Sequence, residues 1–301
     1  MQYIRGLEHY DNARKTAVTF GKFDGLHKGH MTLVDTVKKL QDKDDVDSVV
    51  CAFDMDSPAL LMLPQERQIH LEDEVDYLVE CPFTKEIMCM EPEDFIAKIV
   101  HQLHVKCFVV GSDFHFGHNR RGDYHMLKDL SDKYGYEVLV IDKMQEDKRD
   151  ISSTFVREEI AKGNIEKANH LLGYHYFVTG EILHGRHLGS TKLGIPTINQ
   201  IPPEEKLLPE SGVYVTEVRL GDRSCRGVTN VGVKPTIEGK NPVGVETHLL
   251  DFAGDLYGKV VTVEFLTRIR EERKFSSIEA LKEEMQNNIA YARAWFEKNE
   301  S

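Results

Sequence analysis

The feature that most constrains this chain is a change of periodicity around a glycine-rich decapeptide. An apolar, β-branched run over residues 17–21 leads into GKFDGLHKGH at 21–30, and an amphipathic run over 31–40 follows. That order predicts a strand, a tight loop and a helix. The first amides of a helix point outward without intrahelical partners and its dipole favours negative charge, so such a junction is a ready anion site. Gly25 and Gly29 let a phosphate come close to the backbone. His27 and His30 add side-chain donors one turn apart. The implied chemistry is the handling of nucleotide phosphates. A plainer reading fits the same letters, because a histidine ahead of a helix also serves as a cap or a surface residue.

The first half repeats this rhythm. Residues 46–53 read as a strand, and 93–104 as a helix with Phe95, Ile96, Ile99, Val100 and Leu103 on one face. Residues 106–111 read as a buried strand, 123–134 as a helix and 137–141 as another strand. Alternating strands and helices predict a doubly wound α/β domain with a parallel sheet. Ligands in such domains sit beyond the carboxyl ends of the strands, where 21–30 falls.

A helical stretch over 151–172 then gives way to short strand-like runs at 174–183, 212–220, 223–231, 244–250 and 259–269, separated by Gly, Pro, Asn and Asp. Val261, Val263 and Phe265 alternate with Thr262 and Glu264, as a half-buried strand requires. Several short strands with turn signals predict a barrel or sandwich. The chain closes with a helix whose capping box is read from Ser276 and Glu279, followed by Leu281, Met285, Ile289 and Trp295. The expected division is 1–173 and 174–301, in keeping with the two domains that 301 residues suggest.

Charge and cysteine usage narrow the function classes. With 38 Lys and Arg against 50 Asp and Glu, the net charge is −12, which excludes a nucleic-acid binder relying on a general basic field. Small phosphorylated ligands need only a local positive site. The five cysteines (Cys51, Cys81, Cys89, Cys107 and Cys225) form no CxxC pair and read as reduced and mostly buried. The first fifteen residues lack an apolar core and no run approaches a membrane span, so the expectation is a cytoplasmic protein with no membrane or nucleic-acid partner.

Four further segments carry chemistry. GSDFHFGHNRRGD at 111–123 follows a strand, and its glycines, aromatics and Arg120–Arg121 suit a planar ligand and a phosphate, or else form a surface loop. ISSTFVR at 151–157 places three hydroxyls ahead of a helix, either as caps or, with Arg157, as a grip on a triphosphate. GEILHGRHLGSTKLGIPTIN at 180–199 is glycine-rich but lacks GxxxxGK[ST], so it is not a P-loop. Thr197 and Asn199, two apart, share a face on an extended segment and offer oxygen ligands suited to Mg²⁺; a turn after Pro196 is the plainer reading. Glu246, within GVETHLLDF at 244–252, is either a solvated strand residue or a base facing a metal–phosphate site.

Together and in this order, these motifs resemble the bacterial bifunctional riboflavin kinase/FMN adenylyltransferases, or FAD synthetases, over essentially the whole chain. The patterns are GxFDGxHxGH at 21–30, GxDFxFGxxRxGD at 111–123, ISSTxxR at 151–157, PTxN at 196–199, LLPxxGVY at 207–214, GVTNVGxxPT at 227–236, ETHLLDF at 246–252 and RxExxF at 270–275. The resemblance implies a Rossmann-like nucleotidyltransferase domain followed by a small antiparallel β-barrel kinase domain with a C-terminal helix. It implies riboflavin, FMN, FAD, ATP, ADP and pyrophosphate as ligands, with Mg²⁺ accompanying ATP.

Residue by residue, the resemblance assigns catalysis to Glu246, His27 and His30. It assigns nucleotide or phosphate binding to Gly21, Phe23, Asp24, Gly25, Gly29, Ser152, Ser153, Thr154 and Arg157, and in the kinase domain to Gly185, Gly189, Gly194 and Pro196. Flavin contacts fall to Asp113, Phe114, Phe116, Arg270 and Glu272, and the metal to Thr197 and Asn199. The sequence departs from the family at 53–58, where FDMDSP replaces an FxPHP-like run and Asp56 or Ser57 stands where a histidine is usual. It departs again at GSTKLGIPT, one residue longer than the common form, with Ser190 in place of its arginine. The competing readings are a single-activity riboflavin kinase with a degenerate adenylyltransferase domain, and a flavin carrier or regulator without catalysis.

Overall fold

The computed structural model describes residues 1–54, 57–183, 195–233 and 242–299. The chain divides into two compact units, Met1–Ser153 and Thr154–Ser301.

In the first unit the elements follow the expected alternation: β1 (Gln2–Arg5), β2 (Thr16–Gly21), α1 (Lys28–Asp44), β3 (Asp47–Asp54), α2 (Pro64–Leu71), β4 (Tyr77–Pro82), α3 (Lys85–Met88), α4 (Pro92–Leu103) and β5 (Val105–Gly111). A small hairpin of β6 (His115–Phe116) and β7 (Gly122–Asp123) precedes α5 (Tyr124–Asp129), α6 (Ser131–Tyr134) and β8 (Glu137–Ile141). A second hairpin, β9 (Gln145–Glu146) with β10 (Arg149–Asp150), ends the unit. The six long strands form one sheet in the order β1-β4-β3-β2-β5-β8, every pair parallel. β2 is buried at five consecutive positions, the continuous apolar run expected of a parallel strand covered on both faces. Phe20 anchors the core, edge-on to Phe95 and Phe108.

The predicted helix at 123–134 is two short helices, α5 and α6, meeting at Leu130. The strand pairing of β1 with β4 was not visible locally, because four residues of QYIR carry too little pattern.

The second unit starts within α7 (Ser153–Ala161), continues through α8 (Ile165–Leu172), and then becomes antiparallel: β11 (Phe177–Glu181), β12 (Ile198–Gln200), β13 (Gly212–Leu220), β14 (Arg223–Val233), β15 (Val243–Leu249) and β16 (Val260–Glu271), closed by α9 (Ile278–Asn299). The sheet order is β11-β16-β13-β14-β15-β12. Its edges meet: Leu183, just past β11, bridges to Asn199 of β12, and the Gln200 amide donates to the carbonyls of Gly180 (2.8 Å) and Val261 (3.0 Å). The sheet is therefore a nearly closed six-stranded barrel. Inside it, hydroxyls of Thr216, Thr229 and Thr247 link at 2.7 Å, satisfying polar groups that burial would otherwise penalise.

α8 packs on this barrel ahead of residue 173, with Asn169 donating to the Phe265 carbonyl at 2.8 Å. α9 covers Val213, Val215, Val228 and Leu266 with Ala292 and Phe296. Its cap is Ser277, whose Oγ accepts the Ala280 N–H at 3.1 Å; the helix starts one residue later than the Ser276 reading required.

Candidate active sites

The strand order of the first unit reverses between β2 and β5, since β3, β4 and β1 lie on one side of β2 while β5 and β8 lie on the other. Both strands end in glycine, Gly21 and Gly111, and the loops that follow them sit at the switch point where such sheets take ligands.

The loop after β2 is a tight, left-handed construction. Phe23 (φ 45°) and Leu26 (φ 37°) are non-glycine residues in the left-handed region, and both are fully buried. Each such residue costs on the order of 1–3 kcal/mol and persists only where its surroundings fix it. Here they do. Asp24 Oδ1 accepts the N–H groups of Leu61 (2.9 Å) and Met62 (3.1 Å), and its carbonyl accepts Ser153 Oγ (2.8 Å). Gly25 has φ 82°, and a Cβ there would stand 2.7 Å from Leu61 Cδ1, so the turn itself demands glycine.

His27 is the N-cap of α1, its Nδ1 accepting the His30 N–H at 3.3 Å. The cap reading and the functional reading of this histidine are therefore both met by one side chain, because an acceptor Nδ1 leaves the proton on Nε2 as a free donor. The His27 and His30 rings stack 3.7 Å apart. A side chain at Gly29 would come within 3.3 Å of the His27 ring, so the glycine leaves room for that cap. Burial pushes His27 down to about 4, and holds His30 well below the ordinary histidine value with help from the charges of His27 and Arg67. At neutral pH the pair is two neutral donors beside a helix N-terminus. His30 Nδ1 is buried without a partner among the described residues.

The loop after β5 carries Asp113, exposed and paired with Lys143 at 2.9 Å; Lys143 also reaches Asp150 at 3.0 Å, tying this loop to the residues ahead of α7. Phe114 is half-buried and stacks on Phe116 at 5.4 Å, while Phe116 itself belongs to the core. Asp123 caps α5, accepting the Met126 N–H at 2.9 Å. Ser152 and Ser153 close the first unit; Thr154 and Arg157 lie in the first turns of α7, in the second. Ser57 Oγ accepts the Ala59 N–H at 3.4 Å, whereas Asp56 lies outside the described residues.

In the barrel, register builds the site. Asn199 of β12 and Asn230 of β14 both stand opposite Glu246 of β15, one on each side. All three are half-buried. Thr197 Oγ1 donates to Glu246 Oε1 at 2.8 Å, so the structure brings Thr197, Asn199 and Glu246 together. Asn230 is the residue that the sequence reading missed. An amide in the middle of an apolar strand, GVTNVGV, was the available signal, since strands are depleted in Asn. His248 Nδ1 bonds the Pro196 carbonyl at 2.8 Å and fixes the segment that presents Thr197.

Beside Thr197 opens a pocket of about 390 Å³, walled by Ile182, Ile198, Leu249, Phe252 and Tyr257. Arg270 is held by α9, through Glu284 (2.9 Å) and Asn288 (3.3 Å). Glu272 lies over Gly232, where a Cβ would meet its carboxylate at 2.5 Å. Gly185, Gly189, Gly194 and Ser190 lie outside the described residues.

Known proteins share both halves. The riboflavin kinase family model matches residues 172–296 and the FAD synthetase family model matches residues 9–155. The bifunctional riboflavin kinase/FMN adenylyltransferase of Pseudomonas fluorescens is 34% identical, with 98% of this chain and 97% of that protein aligned. The protein of the same description from Bacillus subtilis (strain 168) is 32% identical, over 94% and 93%. A crystal structure described as a macrolide-efflux protein from Streptococcus pneumoniae superposes with a TM-score of 0.88 at 29% identity, covering 97% of this chain and 99% of that one. Among the described residues no helix is long and apolar enough to cross a membrane.

Proposed function

This chain belongs to the bifunctional riboflavin kinase/FMN adenylyltransferase family, and from that premise we infer that it makes FMN from riboflavin and then FAD from FMN, consuming ATP in each step. The observation that carries this reading is the presence in one chain of two separate polar constellations suited to phosphate, a helix N-terminus flanked by His27 and His30 and a barrel cluster of Thr197, Asn199 and Glu246. The adenylyltransferase is assigned to 1–173 and the kinase to 174–301.

In the kinase step the riboflavin 5′-hydroxyl oxygen bonds to the γ-phosphorus, the bond to the bridging β–γ oxygen breaks, and ADP leaves. Glu246 accepts the hydroxyl proton. Thr197 and Asn199 hold the metal that accompanies ATP. Their hydroxyl and amide oxygens, beside a carboxylate, form the hard donor set that Mg²⁺ prefers. When bound, Mg²⁺ neutralises phosphate charge. The aromatic and aliphatic walls of the adjoining pocket suit the nucleoside of ATP, with Pro196 among its lining residues; the family resemblance gives Gly185, Gly189 and Gly194 a role with the phosphates. Arg270 and Glu272 serve the flavin.

In the adenylyl step an FMN phosphate oxygen bonds to the α-phosphorus of a second ATP and pyrophosphate leaves. The attacking group is already an anion, so no general base is needed. The work is positioning and donation to developing charge. Gly21, Phe23, Asp24, Gly25 and Gly29 shape the loop, and His27 Nε2–H donates with His30 beside it. Ser152, Ser153, Thr154 and Arg157 grip phosphate, and Asp113, Phe114 and Phe116 form the flavin side. Reactions that draw on ATP in both steps suit a cytoplasmic protein.

A time course of riboflavin with MgATP, resolved by chromatography of the flavins, tests this reading. FMN should appear first and FAD after it. FMN accumulating without FAD would confine the activity to the kinase, and untouched riboflavin would remove the kinase assignment.

A further inference from the structure

Arg67 is a buried charge that neither transfer step above uses. It sits on α2, 5% exposed, and its Nη2 is paired with Glu80 of β4, itself 3% exposed. The other carboxylate oxygen of Glu80 accepts the Tyr3 hydroxyl of β1 at 2.6 Å, so the acid is held from a helix and a neighbouring strand. Burying an ion pair does little for stability compared with apolar packing, so its place in the fold invites a second explanation. Arg67 Nη1 supplies one, donating to the Lys22 carbonyl at 3.2 Å. Lys22 immediately precedes Phe23, the first left-handed residue of the histidine loop.

The segment that carries Arg67 is itself locked against that loop. The amides of Leu61 and Met62 hold the Asp24 carboxylate, and Glu66 Oε2 accepts the Leu63 N–H at 2.8 Å at the start of α2. Nε of Arg67 is buried with no partner among the described residues, as is Nδ1 of His30.

We infer that Arg67, aimed by Glu80, is a positioning residue for the adenylyl transfer: it clamps the Lys22 carbonyl and holds the strained turn before α1. This inference rests on the reading of the histidine loop as the adenylyltransferase site. The charged and titratable groups acting on the histidine pair are His27 from the cap, Arg67 from α2 and Asp113 from the loop after β5. Burial is the main cause that keeps His30 neutral, and the charges of His27 and then Arg67 add to it, so removing the Arg67 charge lets His30 protonate at slightly higher pH.

The test uses the full chain, with riboflavin kinase activity measured in each sample as the control for folding. Arg67→Met alone leaves Glu80 uncompensated, so the double variant Arg67→Met/Glu80→Gln accompanies it. The double variant should lose roughly 10²-fold in kcat for FMN to FAD, the scale of a misplaced reacting geometry, with kinase activity within about twofold of the parent. The acid limb of its pH profile should move up slightly, since burial still holds His30 down. Arg67→Lys restores the charge without the fork, and should return the acid limb to its parental position while kcat stays low.

Parental kcat, KM for ATP and pH profile in the double variant, alongside a His30→Ala variant that has lost FAD synthesis, would overturn the role of Arg67 alone. A His30→Ala variant that still makes FAD at the parental rate would overturn the histidine-loop reading instead. Parallel loss of both activities would reduce Arg67 to a structural part and also overturn the inference.

Discussion

The N-terminal phosphate site hangs on a turn with Phe23, Gly25 and Leu26 all at positive φ, whereas the C-terminal site is set by ordinary strand pairing, with Asn199 and Asn230 flanking Glu246 across regular antiparallel ladders. The first needs fixings from distant segments, namely the Leu61 and Met62 amides, the Ser153 hydroxyl and the Arg67 guanidinium. The second, among the described residues, is set by the barrel's register with the Thr197 and His248 contacts. On the reading proposed above, a strained loop brings backbone amides and two neutral imidazoles to bear on a substrate that is already anionic, and a strand register places a carboxylate where a hydroxyl must give up its proton. Each construction suits the chemistry assigned to it, and each should fail in its own way.

The largest expected effects separate the two sites outright. Glu246→Gln should lower FMN formation by roughly 10²–10⁴-fold, as loss of a general base does, and leave FMN-to-FAD conversion within about twofold. His30→Ala should lower FAD formation by about 10²–10³-fold with FMN formation intact. Either substitution abolishing both activities in a folded protein would break the comparison.

Gly25→Ala probes the strained turn. With φ 82° and Leu61 in the way, it should destabilise the N-terminal unit by on the order of 1–3 kcal/mol. FAD synthesis would then be lost at a lower temperature than FMN synthesis, and equal thermal inactivation of the two activities would contradict the argument. Asn230→Ala removes one neutral group beside Glu246 without touching the ladder. It should cost about 1 kcal/mol, or about fivefold in FMN formation, and an unchanged rate would strip Asn230 of its place in the site.

A separate expectation concerns pH dependence. His27 is held down to about 4, so the native chain binds its proton later than the unfolded chain, whose histidines titrate near 6.5. Stability of the N-terminal unit should therefore fall as pH drops from about 6.5 toward about 4, by up to roughly 3 kcal/mol for His27 alone. The rate of FAD synthesis should show no inflection near 6.5, and an inflection there would mean that a cationic histidine takes part.

Much of this was legible because local pattern and local chemistry coincide. The apolar run of β2, the glycines after it and the helix that follows are one contiguous signal, and Thr197 with Asn199 is another. What escaped depends on pairing between distant segments. Asn230 becomes part of a site only because β14 pairs with β15 in the register that sets it against Glu246, and a shift of one residue would turn it to the other face. Arg67 and Glu80 are unremarkable in sequence, and their meeting beneath the histidine loop follows from α2 and β4 packing there. The division of the 123–134 helix at Leu130 is instead a local matter, since the Ser131 hydroxyl donates to the Lys128 carbonyl there.

The most direct test of two independent sites joined by a diffusible product is a mixing experiment. Glu246→Gln and His30→Ala proteins are given riboflavin and MgATP separately and then in one vessel. The account predicts no new flavin from the first, FMN alone from the second, and FAD from the mixture. A mixture that stops at FMN, or FAD from either variant alone, would contradict it.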